Sequence, residues 1–377
     1  MNVQLFSYDY PPNSGGISRL CAELAKHLQL EGVDVDVLTQ RSSQPDPQHH
    51  YASVPTTRVQ RQRPQRELAG WRALSDEADL VISGLVYPEA LIASLRQPER
   101  HVILAHGAEL APHPNPALTI PWRVMKQRVL ESADLVIANS RYTQLRVSQL
   151  APMARVISLP LAVDAQRFSP GDRSAAREHF GIPQDHRVIS TVSRVFGYKA
   201  HDLVIEAIAQ LPEEKREKLL YIVAGRGPAL EGLKELARAR GVDEQIRWLG
   251  FVPEEDLQKV YHASDLFVLC TRDVVDQNSV EGFGLVFLEA QACGVPVIGA
   301  RTGGIPDAIE EGRGGWLIEE DDRAALCAHL DALITDPERF AAEGARARQR
   351  VEDSCTWSHY TANMLRILER YDVISPR

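Results

Sequence analysis

The chain of 377 residues is long enough for two domains of ordinary size, and its 44% hydrophobic and 25% charged residues are typical of a soluble globular protein. Its net charge of −9 argues against a general nucleic-acid binder, and the charge is uneven: residues 1–165 hold 16 basic and 16 acidic side chains, and the remainder hold 26 and 35. No apolar run reaches the roughly 18 residues of a membrane span. The start lacks a basic signal segment, and the five cysteines are scattered. These features predict a cytoplasmic protein with free thiols and no nucleic-acid partner.

The first half alternates short apolar strands with helical patterns. Strands are predicted at residues 3–7, 33–38, 80–83, 102–105, 135–138 and 156–159. Helices are predicted at residues 17–30, 88–96, 120–132 and 141–150. Residues 41–66 show no periodic pattern and are predicted to be a long loop. The opening strand, glycine pair and helix are typical of a βαβ unit, which implies parallel strands.

A second alternation begins after residues 161–170. Its strands are predicted at residues 188–192, 220–224, 246–249, 266–269, 297–299 and 316–318. Its helices are predicted at residues 201–210, 229–239, 255–262, 285–292, 305–311, 322–334, 337–351 and 358–371. Two consecutive alternations of similar size predict two doubly wound, Rossmann-like α/β domains, residues 1–165 and 166–356.

The most informative stretch is Val280–Gly294, where a loop broken by glycines runs directly into an apolar helix. Gly282 and Gly284 bracket Phe283, so the backbone there can approach a ligand closely. The helix that starts at Leu285 would offer free N–H groups and a positive dipole end, which suit an anion.

Two carboxylates accompany this anion site: Glu281 precedes the helix and Glu289 lies on it. Carboxylates in such a place need hydroxyl groups as hydrogen-bond partners. A ligand with phosphates and many hydroxyls, such as a nucleotide sugar, would satisfy both features, whereas the alternative is that both glutamates are solvated surface acids. The whole segment resembles the glutamate–seven residues–glutamate motif of retaining GT-B glycosyltransferases, in particular family 4.

This resemblance covers nearly the whole chain and is weakest at residues 41–75 and 110–122. The linker Leu161–Pro170 resembles the connector between the two GT-B domains, which face a central cleft. In that family the last helix crosses back to the first domain, which here implies residues 357–377. The resemblance also implies hexose transfer from a nucleoside diphosphate sugar with retention of configuration. The sugar nucleotide is a substrate, and we expect no cofactor and no metal, because no Asp-x-Asp motif or metal-spaced cluster is present.

The resemblance assigns the grip on the diphosphate to two cations, Arg194 and Lys199, on the loop after strand 188–192. Fixed cations can stabilise the charge that develops on this leaving group. The alternative is an ordinary solvated loop. The family usually has Lys-Gly where this chain has Lys199-Ala200. By the same resemblance, Glu281 would hold hydroxyls of the donor sugar and Glu289 would hold the ribose.

Polar or glycine-rich turns follow other predicted strands. Gly15 and Gly16 resemble the first-domain loop that touches the donor phosphate and the acceptor, although a plain tight turn fits them as well. His106 resembles the histidine of the donor-sugar pocket, where imidazole can donate to a hydroxyl; a structural histidine is the alternative. Asp273 and Asp276 would either line that pocket or face solvent. The residues predicted to contact the nucleotide by resemblance are Gly225, Phe251, Val252, Phe283, Gly284 and Leu285.

The stretch around Glu281 looks most like bacterial mannosyltransferases of the phosphatidylinositol-mannoside type. GDP-mannose is therefore the first donor candidate, a UDP-hexose is the second, and a lipid-linked or envelope glycan is the expected acceptor. A nucleotide-sugar epimerase would need further acid/base carboxylates around the sugar. A non-catalytic nucleotide-sugar-binding protein would be expected to lack Arg194, Lys199 or Glu281, and all three are present.

Two segments of the first domain mix cations with tryptophan. The first contains Trp71 and a run of arginines: Arg58, Arg61, Arg63, Arg66 and Arg72. The second is residues 121–128, with Trp122, Arg123, Lys126 and Arg128. A solvated loop and a surface helix are the alternative. We expect peripheral, salt-sensitive contact with an anionic membrane at its inner face, because each basic residue near such a surface contributes about 1 kcal/mol.

Overall fold

The computed structural model describes residues 1–13, 15–42, 54–274 and 279–376. The chain divides into two compact units, Met1–Leu161 with Trp357–Arg377, and Ala162–Thr356. The division therefore lies after Leu161, a few residues before the boundary predicted from the sequence, and the C-terminal segment belongs with the first unit.

The strands are short and mostly apolar. In chain order they are β1 (Asn2–Phe6), β2 (Asp34–Gln40), β3 (Thr56–Val59), β4 (Leu80–Ser83), β5 (His101–Ala105), β6 (Leu135–Ala138), β7 (Val156–Ser158), β8 (Arg187–Val192), β9 (Leu219–Ala224), β10 (Ile246–Gly250), β11 (Leu266–Leu269), β12 (Val297–Ala300) and β13 (Gly315–Ile318).

The helices lie between and after these strands. They are α1 (Gly16–Leu30), α2 (Gln65–Ala73), α3 (Leu91–Arg96), α4 (Pro116–Glu131), α5 (Arg141–Leu150), α6 (Arg173–His179), α7 (His201–Gln210), α8 (Glu213–Arg216), α9 (Leu230–Ala239), α10 (Leu257–His262), α11 (Leu285–Ala292), α12 (Ile305–Ala308), α13 (Arg323–Thr335), α14 (Pro337–Ser354) and α15 (Trp357–Arg370).

Each unit is built on one parallel sheet. The strand order is β3-β2-β1-β4-β5-β6-β7 in the first unit and β10-β9-β8-β11-β12-β13 in the second. Strands β4 and β11 are buried along their whole length, which explains why their sequences are almost continuously apolar. The order reverses between β1 and β4 and between β8 and β11, and in such sheets ligands bind beyond the carboxyl ends of the strands at this point. The predicted fold class of two doubly wound α/β domains is confirmed.

The last helix completes the core of the first unit. Helix α15 packs on α1, and Trp357, Tyr360, Met364 and Leu368 are all buried. Their spacing of three or four residues places them along one side of the helix, so α15 contributes a continuous apolar stripe.

Four elements were not predicted: β3, α2, α6 and α8. Residues 41–66 are not one loop, because β3 pairs in parallel with β2 and α2 starts at Gln65; the loop prediction for residues 43–53 lies outside the described residues. Helix α2 is short and polar, and Gly70 packs it so closely on Tyr8 that a Cβ there would lie 2.2 Å from the phenol oxygen. Helices α6 and α8 span only one or two turns, too short for a helical period to stand out.

Candidate active site

The loops that follow β8 and β9 are in direct backbone contact. The N–H of Val195 donates to the carbonyl of Arg226 at 2.9 Å. Gly225 has φ 151°, and a Cβ there would lie 1.8 Å from the Ser193 carbonyl oxygen. Close packing of the two loops therefore requires glycine at this position, because a larger residue would fit only if the loop moved.

Lys199 and Glu281 form an ion pair at the carboxyl end of the second sheet. Lys199 Nζ lies 2.6 Å from Glu281 Oε2, and the side chains are 8% and 20% exposed. Lys199 ends a single 3-10 turn, Gly197–Lys199, after β8, whereas Glu281 stands before α11. The separate ligand contacts predicted for these two residues stay predictions, and the structure adds that their side chains are paired.

Ala200 explains how this chain departs from the family's Lys-Gly without displacing Lys199. It is fully buried and left-handed, with φ 53°. That conformation costs an alanine roughly 1–2 kcal/mol. A glycine at this position would avoid that cost but would lose the buried methyl group, which contributes about 0.8 kcal/mol to stability. It would also lower the stability by about 0.4–1 kcal/mol, because glycine gives the unfolded chain more conformational freedom. The opposing contributions are of similar size, so alanine is tolerated here.

Arg194 lies on the same loop and is exposed. Its guanidinium carbon stands 5.0 Å from the centre of the Phe196 ring. No ion pair joins Arg194 to a carboxylate of the described residues, so its charge is available to an anionic ligand.

A buried hydrogen-bond chain supports this loop from below. Tyr221 OH donates to Thr191 Oγ1 at 2.9 Å, so His201 Nδ1–H is the donor in its 2.9 Å contact with the Tyr221 oxygen. His201 Nε2 then faces the Ser193 hydroxyl as an acceptor at 3.1 Å. Burial lowers the pKa of His201 to about 4, so the ring is neutral at pH 7. His201 was not predicted as a site residue, and its only signal in the sequence is its place directly after Lys199-Ala200.

A glycine with a positive φ directly precedes helix α11. Gly284 has φ 91°, and a Cβ there would lie 2.6 Å from the Phe287 ring. Phe283 is buried in the core, whereas Leu285 is half-buried at the first helical position. The N–H of Gly304 donates to the Glu281 carbonyl at 2.9 Å, so the turn before α12 holds the Glu281 loop in place.

Glu289 is buried, with 3% of its surface exposed, so it is not a solvated surface acid. Tyr261 OH on α10 donates to its Oε2 at 2.7 Å. The predicted contact with a ribose stays a prediction, and the structure adds Tyr261 as a partner that the sequence did not show.

Other residues predicted to contact the nucleotide or to line the donor-sugar pocket in this unit are exposed or half-buried where the structure describes them. Phe251, which follows β10, is 65% exposed, and the Arg226 guanidinium carbon lies 5.8 Å from its ring centre. Val252 is half-buried. Asp273 N–H donates to Glu320 at 3.3 Å, and Asp276 lies outside the described residues.

His106 follows β5 in the first unit. Its Nε2 contacts the Gly84 carbonyl at 2.8 Å, so that nitrogen carries the proton and donates. The predicted role of His106 at the donor-sugar pocket stays a prediction, and in this structure the Nε2–H is bound to the Gly84 carbonyl. Nδ1 remains as an acceptor. Gly15, with φ 149°, precedes α1, and a Cβ on it would lie 3.8 Å from Asp9 Oδ2; Gly16, its first residue, is exposed.

Most of the chain matches known protein families. Residues 14–167 match the family described as Glycosyltransferase Family 4, and residues 172–350 match Glycosyl transferases group 1. The chain is 31% identical over 385 residues to a GDP-mannose-dependent alpha-(1-6)-phosphatidylinositol monomannoside mannosyltransferase of Mycolicibacterium smegmatis, with 97% of each chain covered. The chain belongs to the group 1, family 4 glycosyltransferases.

Further relatives agree with this glycosyltransferase assignment. A D-inositol 3-phosphate glycosyltransferase of Geodermatophilus obscurus is 30% identical over 391 residues, covering 93% of this chain and 85% of the relative. Among solved structures, a sucrose-phosphate synthase from Thermosynechococcus elongatus has a TM-score of 0.78 at 21% identity and covers 98% of both chains. Anabaena Alr3699/HepE in complex with UDP-glucose has a TM-score of 0.78 at 19% identity, covering 98% of this chain and all of the other. At these identities the structures show the shared GT-B fold.

The described residues of the glycosyltransferase contain neither a metal-binding cluster nor a membrane-spanning helix. Nowhere in residues 1–13, 15–42, 54–274 and 279–376 do three histidine, cysteine or acidic side chains group as a metal site requires. Metal independence itself stays a prediction. None of the helices in those same ranges combines the length and apolar character needed to cross a membrane.

The predicted cationic face of the first unit loses two members. The Arg66 side chain is only 11% exposed and pairs with Glu67 at 2.7 Å. Lys126 is 1% exposed and donates to the carbonyls of Glu109 at 3.2 Å and Ala111 at 2.5 Å. Burial lowers its pKa to about 8. Lys126 therefore fixes the turn after β5 and does not contribute to a surface patch.

Proposed function

We propose that this glycosyltransferase moves a hexose from a nucleoside diphosphate sugar to a hydroxyl of a lipid-linked or envelope-glycan acceptor, with retention of configuration. GDP-mannose is the first donor candidate, supported by the name of the Mycolicibacterium relative, and a UDP-hexose is the second, supported by the UDP-glucose bound to Alr3699/HepE. The observation that carries the proposal is the Lys199–Glu281 ion pair, in which Glu281 precedes α11 and Lys199 lies on the loop that also presents Arg194.

The pair suits a donor that brings phosphate and hydroxyl groups together. A diphosphate oxygen can replace the Glu281 carboxylate on Lys199 Nζ, and Glu281 is then free to accept hydrogen bonds from sugar hydroxyls. In the reaction the acceptor oxygen bonds to the anomeric carbon while the bond from that carbon to the diphosphate breaks on the same face. The acceptor proton passes to a phosphate oxygen of the leaving group. Arg194 and Lys199 stabilise the charge that the diphosphate gains.

The exchange of partners on Lys199 gives a direct test. Glu281→Gln removes the carboxylate that competes for Lys199, so the affinity for bare GDP or UDP should rise severalfold in isothermal titration calorimetry. Turnover of the donor should fall by about 100-fold, because the sugar loses a charged acceptor. Glu311→Gln, which alters an exposed carboxylate paired with Arg301 in the same unit, should change neither value. Loss of nucleotide binding in Glu281→Gln, or unchanged turnover, would contradict the proposed site.

The choice of donor and the stereochemistry need a separate experiment. Thermal shift with a panel of nucleotide sugars should show the largest stabilisation with GDP-mannose. Incubation of that donor with candidate lipid acceptors should give a product that is one hexose heavier by mass spectrometry, and NMR should show the donor's anomeric configuration. Inversion at the anomeric carbon, or an epimerised nucleotide sugar without acceptor, would refute retaining transfer.

We also propose peripheral contact with an anionic membrane, as a lipid-linked acceptor would require. The two tryptophan-containing segments of the first unit meet at Tyr87: the Arg63 guanidinium carbon lies 5.7 Å from its ring centre, and the Trp122 ring centre lies 4.6 Å from it. Beside them α4 exposes apolar side chains, with Ile120 75%, Leu118 46% and Val124 40% accessible. Arg123 and Arg128 on the same helix are exposed as well.

Vesicle flotation tests this contact. The glycosyltransferase should float with anionic vesicles at low salt, and Ile120→Glu should abolish flotation because it places a carboxylate in the apolar face. Leu30→Glu is the matched control, since Leu30 on α1 is 72% exposed. Equal flotation with neutral vesicles, or equal loss in the control, would argue for a water-soluble acceptor.

A further inference from the structure

One guanidinium ties together three loops at the carboxyl end of the second sheet. Arg272 follows β11, and its Nη1 and Nη2 donate to the two oxygens of Asp202 at 2.9 and 2.8 Å. Its Nε donates to Asp321 Oδ1, in the loop after β13, at 2.7 Å. The fork geometry of arginine is therefore used on two carboxylates at once, an arrangement that lysine cannot reproduce.

The same residue also holds the turn that carries Lys199. Arg272 Nη1 donates to the Gly197 carbonyl at 3.3 Å, and the Arg272 backbone N–H donates to the Tyr198 carbonyl at 2.8 Å. Two successive carbonyls of the turn Gly197–Lys199 are thus bound by one residue. Asp202 lies just past the turn, in the first turn of α7, so Arg272 fixes both ends of the segment that positions Lys199.

Removing this guanidinium would have two effects near the anion site. The turn would lose its side-chain contact to Gly197 and its anchor at Asp202. Asp202 and Asp321, which are 39% and 52% exposed in their side chains, would also be left without Arg272 as a counter-ion. A displacement of Lys199 by about 1 Å is enough to lower a rate by as much as about 100-fold.

We propose that Arg272 is a positioning residue for the diphosphate site: it holds the Gly197–Lys199 turn so that Lys199 Nζ is aimed at the donor. This inference rests on the proposed function, in which Lys199 binds the diphosphate. Arg272 contacts no reacting atom in this scheme and acts only through the turn.

A double-mutant cycle on the full chain tests the inference. The probe is GDP or UDP alone, and the affinity is measured by calorimetry for wild type, Arg272→Gln, Lys199→Met and the double variant. Arg272→Gln should weaken binding by roughly tenfold. In the Lys199→Met background the same change should have almost no further effect, because its route of action is already lost.

Two further variants separate positioning from charge and from folding. Arg272→Lys keeps the charge but not the fork, so it should also weaken binding and lower kcat. Arg313→Gln is the matched control, because Arg313 likewise binds two carboxylates, Glu310 and Asp353, but at the amino end of β13; it should bind the nucleotide like wild type. Should Arg272→Gln lower the melting temperature, Arg272→Lys is used in the cycle in its place.

The outcomes distinguish this inference from the proposed function. If Lys199→Met leaves nucleotide affinity unchanged, the diphosphate is not at Lys199, and both conclusions are wrong. If Lys199→Met weakens binding but the Arg272 variants do not, the proposed site stands and the positioning role is overturned. The positioning role is equally overturned if the Arg272 effect adds in full to that of Lys199→Met.

Discussion

At the scale of single residues, a buried carboxyl in the first unit is notable because the proposed reaction does not use it. Glu89 is completely buried, and its Oε1 accepts the Tyr8 N–H at 2.9 Å. Its Oε2 has no hydrogen-bond partner among the described residues. Burial raises the pKa of Glu89 from 4.5 to about 7, partly offset by the Tyr8 N–H and by the charge of Arg66.

This carboxyl should make the stability of the first unit depend on pH. The folded state keeps a proton that the unfolded state has lost, so the free energy of unfolding should fall as the pH rises from about 4.5 to about 7. A shift of this size corresponds to about 3 kcal/mol. As the pH rises from 4.5 to 8, the free energy of unfolding of Glu89→Gln should therefore increase by about 3 kcal/mol relative to that of wild type. Urea unfolding at a series of pH values measures this difference. An equal pH profile in the two proteins would show that Glu89 is ionised throughout.

The residues of the site show which features can be predicted from the sequence and which cannot. Glycine turns and the charges of Lys199 and Glu281 are visible as local patterns, because they follow predicted strands. Their pairing is not visible, since it joins positions 82 residues apart. Lys126 shows the same limit. Its polar neighbours on a helix predict that it is exposed, whereas in the structure it is buried and donates to the carbonyls of Glu109 and Ala111.

At the scale of elements, α6 shows why a short helix escaped prediction yet is firmly held. Arg177 is 2% exposed and donates to Asp265 Oδ2 at 2.7 Å and to the Ala263 carbonyl at 3.1 Å. Asp265 also accepts from Arg173 and from the N–H of Val188. The strands of the sheet were predictable from their own apolar runs, whereas α6 depends on an acid 88 residues away.

Breaking this buried pair should be costly. Arg177→Ala should lower the free energy of unfolding by about 3–5 kcal/mol, because Asp265 is left buried with incomplete compensation. Arg301→Ala is the control, since Arg301 pairs with Glu311 and Glu319 at the surface and should cost less than about 1 kcal/mol. Urea unfolding gives both values. Equal losses in the two variants would mean that Asp265 is well solvated.

At the scale of the whole molecule, the first unit is discontinuous in sequence, because α15 returns to it. Deleting residues 357–377 removes large buried side chains that include Trp357, Tyr360, Met364 and Leu368. At about 1.5–3 kcal/mol each, they contribute as much as a typical domain's whole stability. The first unit should therefore unfold while the second keeps its structure.

Hydrogen exchange resolves the two units and tests this expectation. In the truncated chain, exchange should become fast in α1 and β1 and stay slow in β8 and β11. Arg366→Ala, which alters an exposed residue of the same helix, is the control and should leave exchange in α1 unchanged. Continued protection of α1 after truncation would show that α15 is dispensable for the first unit.

The return of α15 also sets an order of events on the ribosome. Helix α15, which packs on α1, is synthesised only after the whole second unit, and at 5–20 residues per second that unit alone occupies roughly 10–40 seconds of synthesis. Throughout that interval the second unit can finish folding, while α1 still exposes the apolar face that α15 will cover. The nascent first unit therefore exposes apolar surface until α15 is made, and a chain whose synthesis stops before α15 should carry an incompletely folded first unit.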